Sequence, residues 1–391
     1  MPLGVAPTVA PAAPPPAPAP LLIDNPGNIP VVPMPTTDLV NATVRQMVRV
    51  SASGKQVRLR LSNEAGAEPL EIGAVQVGLA GQDCTTSAAT SRPVTFVGQR
   101  RVVIPASAPV LSDPVNLPVN GLDKLCISIH VPGALPRVGH SVYQYVAEGG
   151  DQTIAPQLSG VRLMRLPALV SQVQVDAAKG TAVIVTLGDS ITEGAASTNN
   201  AFRGWPDRLA ERLQADRNGR NWAVVNAGIG GNRLLRYGTG PNALARLDRD
   251  VLGVPGVKAL ILLEGINDIG RGFTTLGPQE PVTVEALIAA DQQIIARAHS
   301  MGIKVYGALL TPYKGAGYAS PEGEKVRTAL NTWILSSGAF DGVIDFATAT
   351  GDPNDQLTFA AAYNDRDKLH PNDAGYQAMA NAIDLKMVTS K

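Results

Sequence analysis

The chain has 391 residues, 45% of them hydrophobic, and its 33 lysines plus arginines balance 33 aspartates plus glutamates. That is more than one compact core usually uses, so two domains are expected. The charge balance excludes the basic clusters of a nucleic-acid binder and any strong field steering an acidic ligand. No uninterrupted apolar run approaches the ~20 residues of a membrane-spanning helix.

Residues 1–36 read as a disordered or extended tether, because Pro11-Ala12-Ala13-Pro14-Pro15-Pro16-Ala17-Pro18-Ala19-Pro20 cannot form a packed core. No lysine or arginine precedes Arg45 and proline interrupts any apolar core, so this is not a signal peptide as it stands. The expectation is a secreted or periplasmic protein whose export signal was removed and a start methionine added. The alternative is an ordinary terminus of a cytosolic protein.

From 37 to 165 the pattern is short strands and turns. Val57, Leu59 and Leu61 alternate with Arg58 and Arg60, and Val102-Val103-Ile104 is stopped by Pro105. This half reads as an all-β sandwich accessory domain. It holds both cysteines, Cys84 and Cys126. Leu125, Ile127, Ile129 and Val131 form one strand face, which puts Cys126 on the other with Ser128 and His130. A Cys84–Cys126 disulfide suits an exported β domain, and two separate buried thiols are the other reading. Residues 166–180 read as a short connector. Its Leu169, Val170, Val173 and Val175 argue for packing against the second half rather than a loose tether.

After the connector, strands and helices alternate over 181–391. Strands are expected at 182–187, 222–225, 257–263, 303–310 and 342–345. Helices are expected at 205–215, 244–252, from Val284 to beyond Ala298, at 324–335 and at 373–385. Such alternation implies a parallel sheet covered by helices, with its ligand crevice at the carboxyl ends of the strands.

Gly188-Asp189-Ser190-Ile191-Thr192-Glu193-Gly194 directly follows the first of these strands. It puts a serine at a strand exit between glycines that let the backbone turn. A serine that cleaves esters needs a base, a group orienting that base, and donors for the oxyanion. Of four histidines, His130 and His140 lie in the β half, and His299 ends the long helix, where a cation favours the dipole. His370 lies in a loop, three residues after Asp367, whose carboxylate can fold back onto the imidazole. Asp365 and Asp373 are alternative orienting acids. Gly231, in the loop after the second strand, offers a backbone N–H, and Asn267, after the third, an amide side chain. All three loops leave one sheet edge, so Ser190, Gly231 and Asn267 can converge.

Gly188-Asp189-Ser190, Gly231, Gly265-Ile266-Asn267-Asp268 and Asp367-Lys368-Leu369-His370, in that order, resemble the four blocks of the SGNH, or GDSL-type, hydrolase family. Isoleucine 191 stands where the family name implies leucine. The β half and the run Leu262–Gly270 resemble a subgroup of exported bacterial SGNH esterases, some of whose relatives are associated with plant-polysaccharide breakdown. The resemblance implies a three-layer α/β fold, a flavodoxin-like parallel sheet of about five strands. It implies Ser190 as nucleophile and, through its own N–H, one oxyanion donor, with Gly231 and Asn267 as the others. His370 would be the base and Asp367 its orienting acid, with no cofactor and no metal.

The reading is a carboxylic ester hydrolase acting through an acyl-enzyme, removing short acyl groups such as acetate from carbohydrate or other small esters. Its alternatives are a lipase or arylesterase on apolar esters, and a carbohydrate-binding protein built on an inactive hydrolase scaffold. Loops 271–283 and 311–321 are expected to shape the pocket, with Tyr313 and Tyr318 either stacking on a sugar ring or shielding the sheet edge. Partners other than the ester substrate, and oligomeric state, are not specified.

Overall fold

The computed structural model describes residues 33–273, 280–364 and 366–390. The tether read over 1–36 therefore lies, through residue 32, outside the described residues; beyond it, Met34 packs on the β core.

The first half is built from β1 (Val40–Arg49), β2 (Gly54–Ser62), β3 (Leu70–Ile72), β4 (Ala74–Leu79), β5 (Arg92–Pro93) and β6 (Val102–Ile104). It continues with β7 (Pro109–Leu111), β8 (Val115–Val119), β9 (Lys124–Ala134), β10 (Ser141–Glu148), β11 (Arg162–Pro167) and β12 (Val170–Val175). One antiparallel sheet runs β11-β10-β1-β9-β4-β5; the other joins β12, β2, β7 and β8. Alternation decides which side chains meet between them. Val44, Ile127 and Ile129 of the first sheet share a core with Leu59, Leu61 and Leu117 of the second, making a sandwich.

The connector read over 166–180 differs from that expectation. Its residues Val170, Val173 and Val175 pair opposite Leu61, Leu59 and Val57, so its middle, Val170–Val175, is a strand of the second sheet, and its first two residues end β11. The same valines that argued against a loose tether find an apolar partner within the β half.

Cys84 and Cys126 are joined by a disulfide, beside a small cluster with Tyr145, Leu158 and Leu163. Arg45, fully buried here, donates to Ser128 Oγ at 2.8 Å and to the carbonyls of Pro156 and Cys84 at 3.0 and 3.2 Å.

The second half carries a five-stranded parallel sheet, β13 (Ala182–Gly188), β14 (Trp222–Gly228), β15 (Val257–Leu263), β16 (Lys304–Ala308) and β17 (Gly342–Ile344), in the order β14-β13-β15-β16-β17. Its helices are α1 (Ser190–Glu193), α2 (Trp205–Ala215), α3 (Ala243–Leu247), α4 (Ile266–Gly272), α5 (Val284–Ser300), α6 (Pro321–Ser336), α7 (Phe346–Thr350) and α8 (Asp373–Ala382). Helices α2, α7 and α8 pack together, as do α3, α5 and α6, giving a layer on each side of the sheet. The helix read over 244–252 is α3 followed by one wide π turn, and the helix read over 373–385 stops at Ala382, followed by the short α9 (Leu385–Val388). Register fixes the site's position: Gly188 lies opposite Gly228 on one side and Leu263 on the other. Three chain exits therefore stand side by side.

The two halves are docked through polar contacts. Arg49 reaches Asp207 at 3.1 Å and Glu211 at 2.7 Å. Ser51 Oγ donates to Val224 O at 2.8 Å and accepts from Val224 N at 2.9 Å, covering the open edge of β14.

The disulfide closes a sequence separation of 42 residues, for which the chain-entropy model gives about 4 kcal/mol of stabilisation. A Cys84→Ser/Cys126→Ser protein should lose an amount of that order in urea unfolding of the β half.

Candidate active site

Ser190 begins α1, where the chain turns sharply out of β13. Asp189 caps that helix, its Oδ1 accepting from Ile191 N at 2.8 Å, and Gly194 closes it at φ +99°. At Gly188, any side chain would collide with the Leu263 carbonyl and Thr192, so only glycine lets the strand end this close to the next one.

Ser190 Oγ lies 2.7 Å from His370 Nε2, across 180 residues of sequence. His370 Nδ1 lies 2.5 Å from Asp367 Oδ2. The other oxygen, Oδ1, accepts from the backbone N–H groups of Leu369 at 3.0 Å and His370 at 2.9 Å, closing a tight loop. Asn364 Nδ2 donates to His370 O at 2.6 Å and holds the loop from behind. Burial would raise the Asp367 carboxyl, but the His370 hydrogen bond and charge outweigh it and hold it far below the usual carboxylate range. The group beside the imidazole is thus a carboxylate.

The other residues read from the sequence line the same cleft: Gly231, Asn267 and Tyr318 face it together with Ser190 and His370. Gly231 has φ +74°. Among the described residues, its N–H has no hydrogen-bond partner. Asn267 Nδ2 donates to Asn232 O at 3.0 Å, which aims this amine edge at the loop carrying Gly231. Tyr318 OH donates to Asn267 Oδ1 at 3.4 Å, and its ring lies on Gly270, where a Cβ would strike it. Tyr313 is buried, packed 6.1 Å centroid to centroid from Tyr318, and does not line the cleft.

Other candidates are placed elsewhere. Asp373 receives Thr198 N at 2.8 Å and Thr198 Oγ1 at 2.7 Å and pairs with Arg203 at 3.0 Å, not with His370. Asp365 and residues 274–279 of the 271–283 loop lie outside the described residues. His299 pairs with Asp341 at 2.8 Å at the end of α5, and His130 bonds Asn41 at 2.9 Å.

Sequence reasoning missed what lies beneath the site. Arg246 is wholly buried and donates to Gly188 O at 2.9 Å, Ala227 O at 2.6 Å and Asn232 Oδ1 at 3.0 Å. Around it stand buried carboxyls. Burial pushes Asp189 up to about 7, and burial together with the Asp189 charge pushes Glu264 well above its ordinary value. Asp268, raised by burial to about 6, accepts from Leu234 N at 2.7 Å and Leu235 N at 3.1 Å. It thereby fixes the segment just after Gly231. The only advance signal was the unusual acidity of Glu264-Gly265-Ile266-Asn267-Asp268 after an apolar strand.

With the geometry in place, comparison with known proteins is informative. Residues 186–378 match the GDSL-like lipase/acylhydrolase family. This segment belongs to that family. The GDSL-like domain makes the chain a carboxylic ester hydrolase. Similar solved structures include an acetylxylan esterase from Geobacillus stearothermophilus, at 18% identity, covering 54% of this chain and 95% of the other, with a TM-score of 0.42. An alpha/beta hydrolase from the Lake Arreo metagenome is 22% identical, covering 51% and 92%, with a TM-score of 0.41. A GDSL-like lipase from Bacteroides thetaiotaomicron is 16% identical, covering 55% and 91%, with a TM-score of 0.40. No curated protein matches the chain.

Two outcomes test the support beneath the site. Tyr318→Phe should lower kcat roughly two- to tenfold, the worth of one ordinary hydrogen bond, with KM little changed. For Asp268, the folded-state value rises from the usual 3.8 to about 6, so the folded protein favours the protonated form. Its contribution to stability is complete below 3.8 and is lost as pH rises through about 6. The stability of Asp268→Asn relative to the parent, from urea titrations between pH 4 and 7, should therefore increase with pH.

Proposed function

We propose that Ser190, His370 and Asp367 form a catalytic triad that hydrolyses esters through an acyl-enzyme. The observation that carries this is the unbroken chain of contacts from Ser190 Oγ through the imidazole to the Asp367 carboxylate. With Nδ1–H donated to Asp367, Nε2 is left to take the serine proton. Ser190 Oγ attacks the ester carbonyl carbon while its proton passes to His370. The resulting oxyanion accepts from the N–H groups of Ser190 and Gly231 and from Asn267 Nδ2. Collapse breaks the bond to the leaving alcohol, which receives the proton from His370. Water, deprotonated by the same imidazole, then attacks the acyl carbon and releases the acid and Ser190.

Short acyl groups on a polar alcohol such as carbohydrate are the substrate class we favour. Gly194, Ser197, Thr198 and Asn199, which follow Ser190 along the cleft, and Gly230 in the next loop are small or polar, and the apolar lining at Ile229, Leu369 and Tyr318 is interrupted by them. A long acyl chain calls for a continuous apolar wall instead. The Cys84–Cys126 disulfide supports an exported, oxidising setting. Among the described residues, no helix is long and apolar enough to cross a membrane.

Aryl esters from acetyl to octanoyl, assayed with the parent, Ser190→Ala and Asn267→Ala, test the reading. Activity should fall steeply with chain length, vanish in Ser190→Ala and drop roughly 10²–10³-fold in kcat for Asn267→Ala without loss of fold. Flat chain-length dependence would favour a lipase, and an active Ser190→Ala protein would refute the triad.

A further inference from the structure

The β half reaches the catalytic half at one residue of the nucleophile's own helix. Glu193 closes α1, three positions after Ser190, and its side chain is only 16% exposed. Its Oε1 takes hydrogen bonds from two residues of the β half: His140 Nε2 at 2.8 Å, just ahead of β10, and Arg165 Nη2 at 2.9 Å, on β11. The guanidinium of Arg165 is itself set over the Tyr143 ring, 5.9 Å from its centroid.

The same carboxylate lies against the loop that carries Gly231. A Cβ at Gly230 would come within 2.6 Å of Glu193 Oε2 and 3.4 Å of Arg165 Nη2. A Cβ at Gly228 would come within 2.6 Å of the Thr192 carbonyl carbon and 2.7 Å of Glu193 Cα. Asn226 ties the two together from the other side, donating to Thr192 O at 2.9 Å and accepting from Gly228 N at 2.9 Å. Glu193 is thus where three parts meet: the helix bearing Ser190, the loop bearing Gly231, and the β half.

We infer that Glu193 is a positioning residue through which His140 and Arg165 of the β half set the distance between the nucleophile helix and the oxyanion loop. The inference rests on the assignment of Ser190 and Gly231 above. A helix of four residues cannot hold its own position, since a single turn is not stable without tertiary contacts. A buried carboxylate without these two donors would move toward water and draw α1 away from the glycine loop. Glu193 is held below its ordinary range because the His140 and Arg165 contacts outweigh burial, which would raise it. The link therefore persists as an ion pair down into mild acid. The accessory domain is on this account part of the catalytic unit rather than an appended module.

The test uses the full chain and five variants: Glu193→Gln, Arg165→Met, Arg165→Lys, Gly230→Ala and the double Glu193→Gln/Arg165→Met. Each is measured for kcat and KM on an aryl acetate and for the rate of Ser190 labelling by an aryl phosphonate, with melting temperature as control. Glu193→Gln, Arg165→Met and Gly230→Ala should lower kcat roughly ten- to a hundredfold, the scale of a displacement of about 1 Å. KM should stay within about twofold and labelling should slow by the same factor as kcat. Arg165→Met should add nothing in a Glu193→Gln background, because one link cannot be broken twice, and Arg165→Lys should recover most of the rate. Parent-like kcat in Glu193→Gln or Arg165→Met, losses that multiply in the double variant, or a loss that tracks the unfolded fraction would each overturn the proposal. Ser190→Ala is assayed alongside. If it remains active and the phosphonate marks another residue, the nucleophile assignment has failed, which is distinct from failure of the clamp alone.

Discussion

A single buried guanidinium holds the catalytic end of the sheet together. Arg246 is shut away from water, and a charge so placed would cost several kcal/mol without partners. Its partners are the Asp250 carboxylate at 3.1 Å, the carbonyls near the ends of β13 and β14, at Gly188 and Ala227, and the side chain of Asn232 beyond the second loop. None of these can move without exposing or unpairing that charge. The segments holding Ser190 and Gly231 are thus tethered to one point beneath them. The positive charge also explains why Asp189 and Glu264 are tolerated so close together, with Glu264 Oε2 3.8 Å from Nη2. Burial raises both carboxyls, and the Arg246 charge works against that rise.

The open edge of the parallel sheet accounts for the way the two halves meet. β14 is an edge strand, and an unpaired edge invites association with other chains. Ser51 satisfies both backbone groups of Val224 on that edge, and Arg49 with Lys124 brackets Phe202 at 5.5 and 5.1 Å from its ring centroid. Docking there brings β10 and β11 to the cleft rim, where His140 and Arg165 face α1. Edge protection and access to the active site follow from the same placement.

Local patterns made much of this legible in the chain. Period-two alternation in Val57–Leu61 and Leu125–Val131, and apolar runs at Ala182–Leu187 and Val257–Leu263, give strands where the structure has them. Asp367 and His370 share one loop, so their contact is local and the spacing displays it. Arg246 was invisible because it sits in a stretch that reads as a charged, amphipathic helix face, and only the tertiary fold turns that face inward. The links of Glu193 and the contact of Tyr318 with Asn267 were hidden for the same reason. The partners lie 53, 28 and 51 positions away, and no periodicity encodes such pairings. The strand at Val170–Val175 was read as connector because its alternation is short and follows a proline, while its partner strand lies far back in the chain.

The contrast bears on what a nucleophile motif specifies. Gly188-Asp189-Ser190 dictates a turn, a cap and a hydroxyl at the strand exit, and these are short-range consequences of glycine freedom and an aspartate acceptor. It does not dictate where that hydroxyl stands relative to His370, 180 residues later, or to the Gly231 loop. Four residues of helix have no rigidity of their own, so the distance is set by whatever grips both ends of α1. At the first end the grip is Arg246 on the Gly188 carbonyl, within the hydrolase half. At the second it is Asn226 from within and Glu193 from across the interface. Under the proposed triad the motif supplies the reactive atom, and its aim belongs to the whole fold, the β half included.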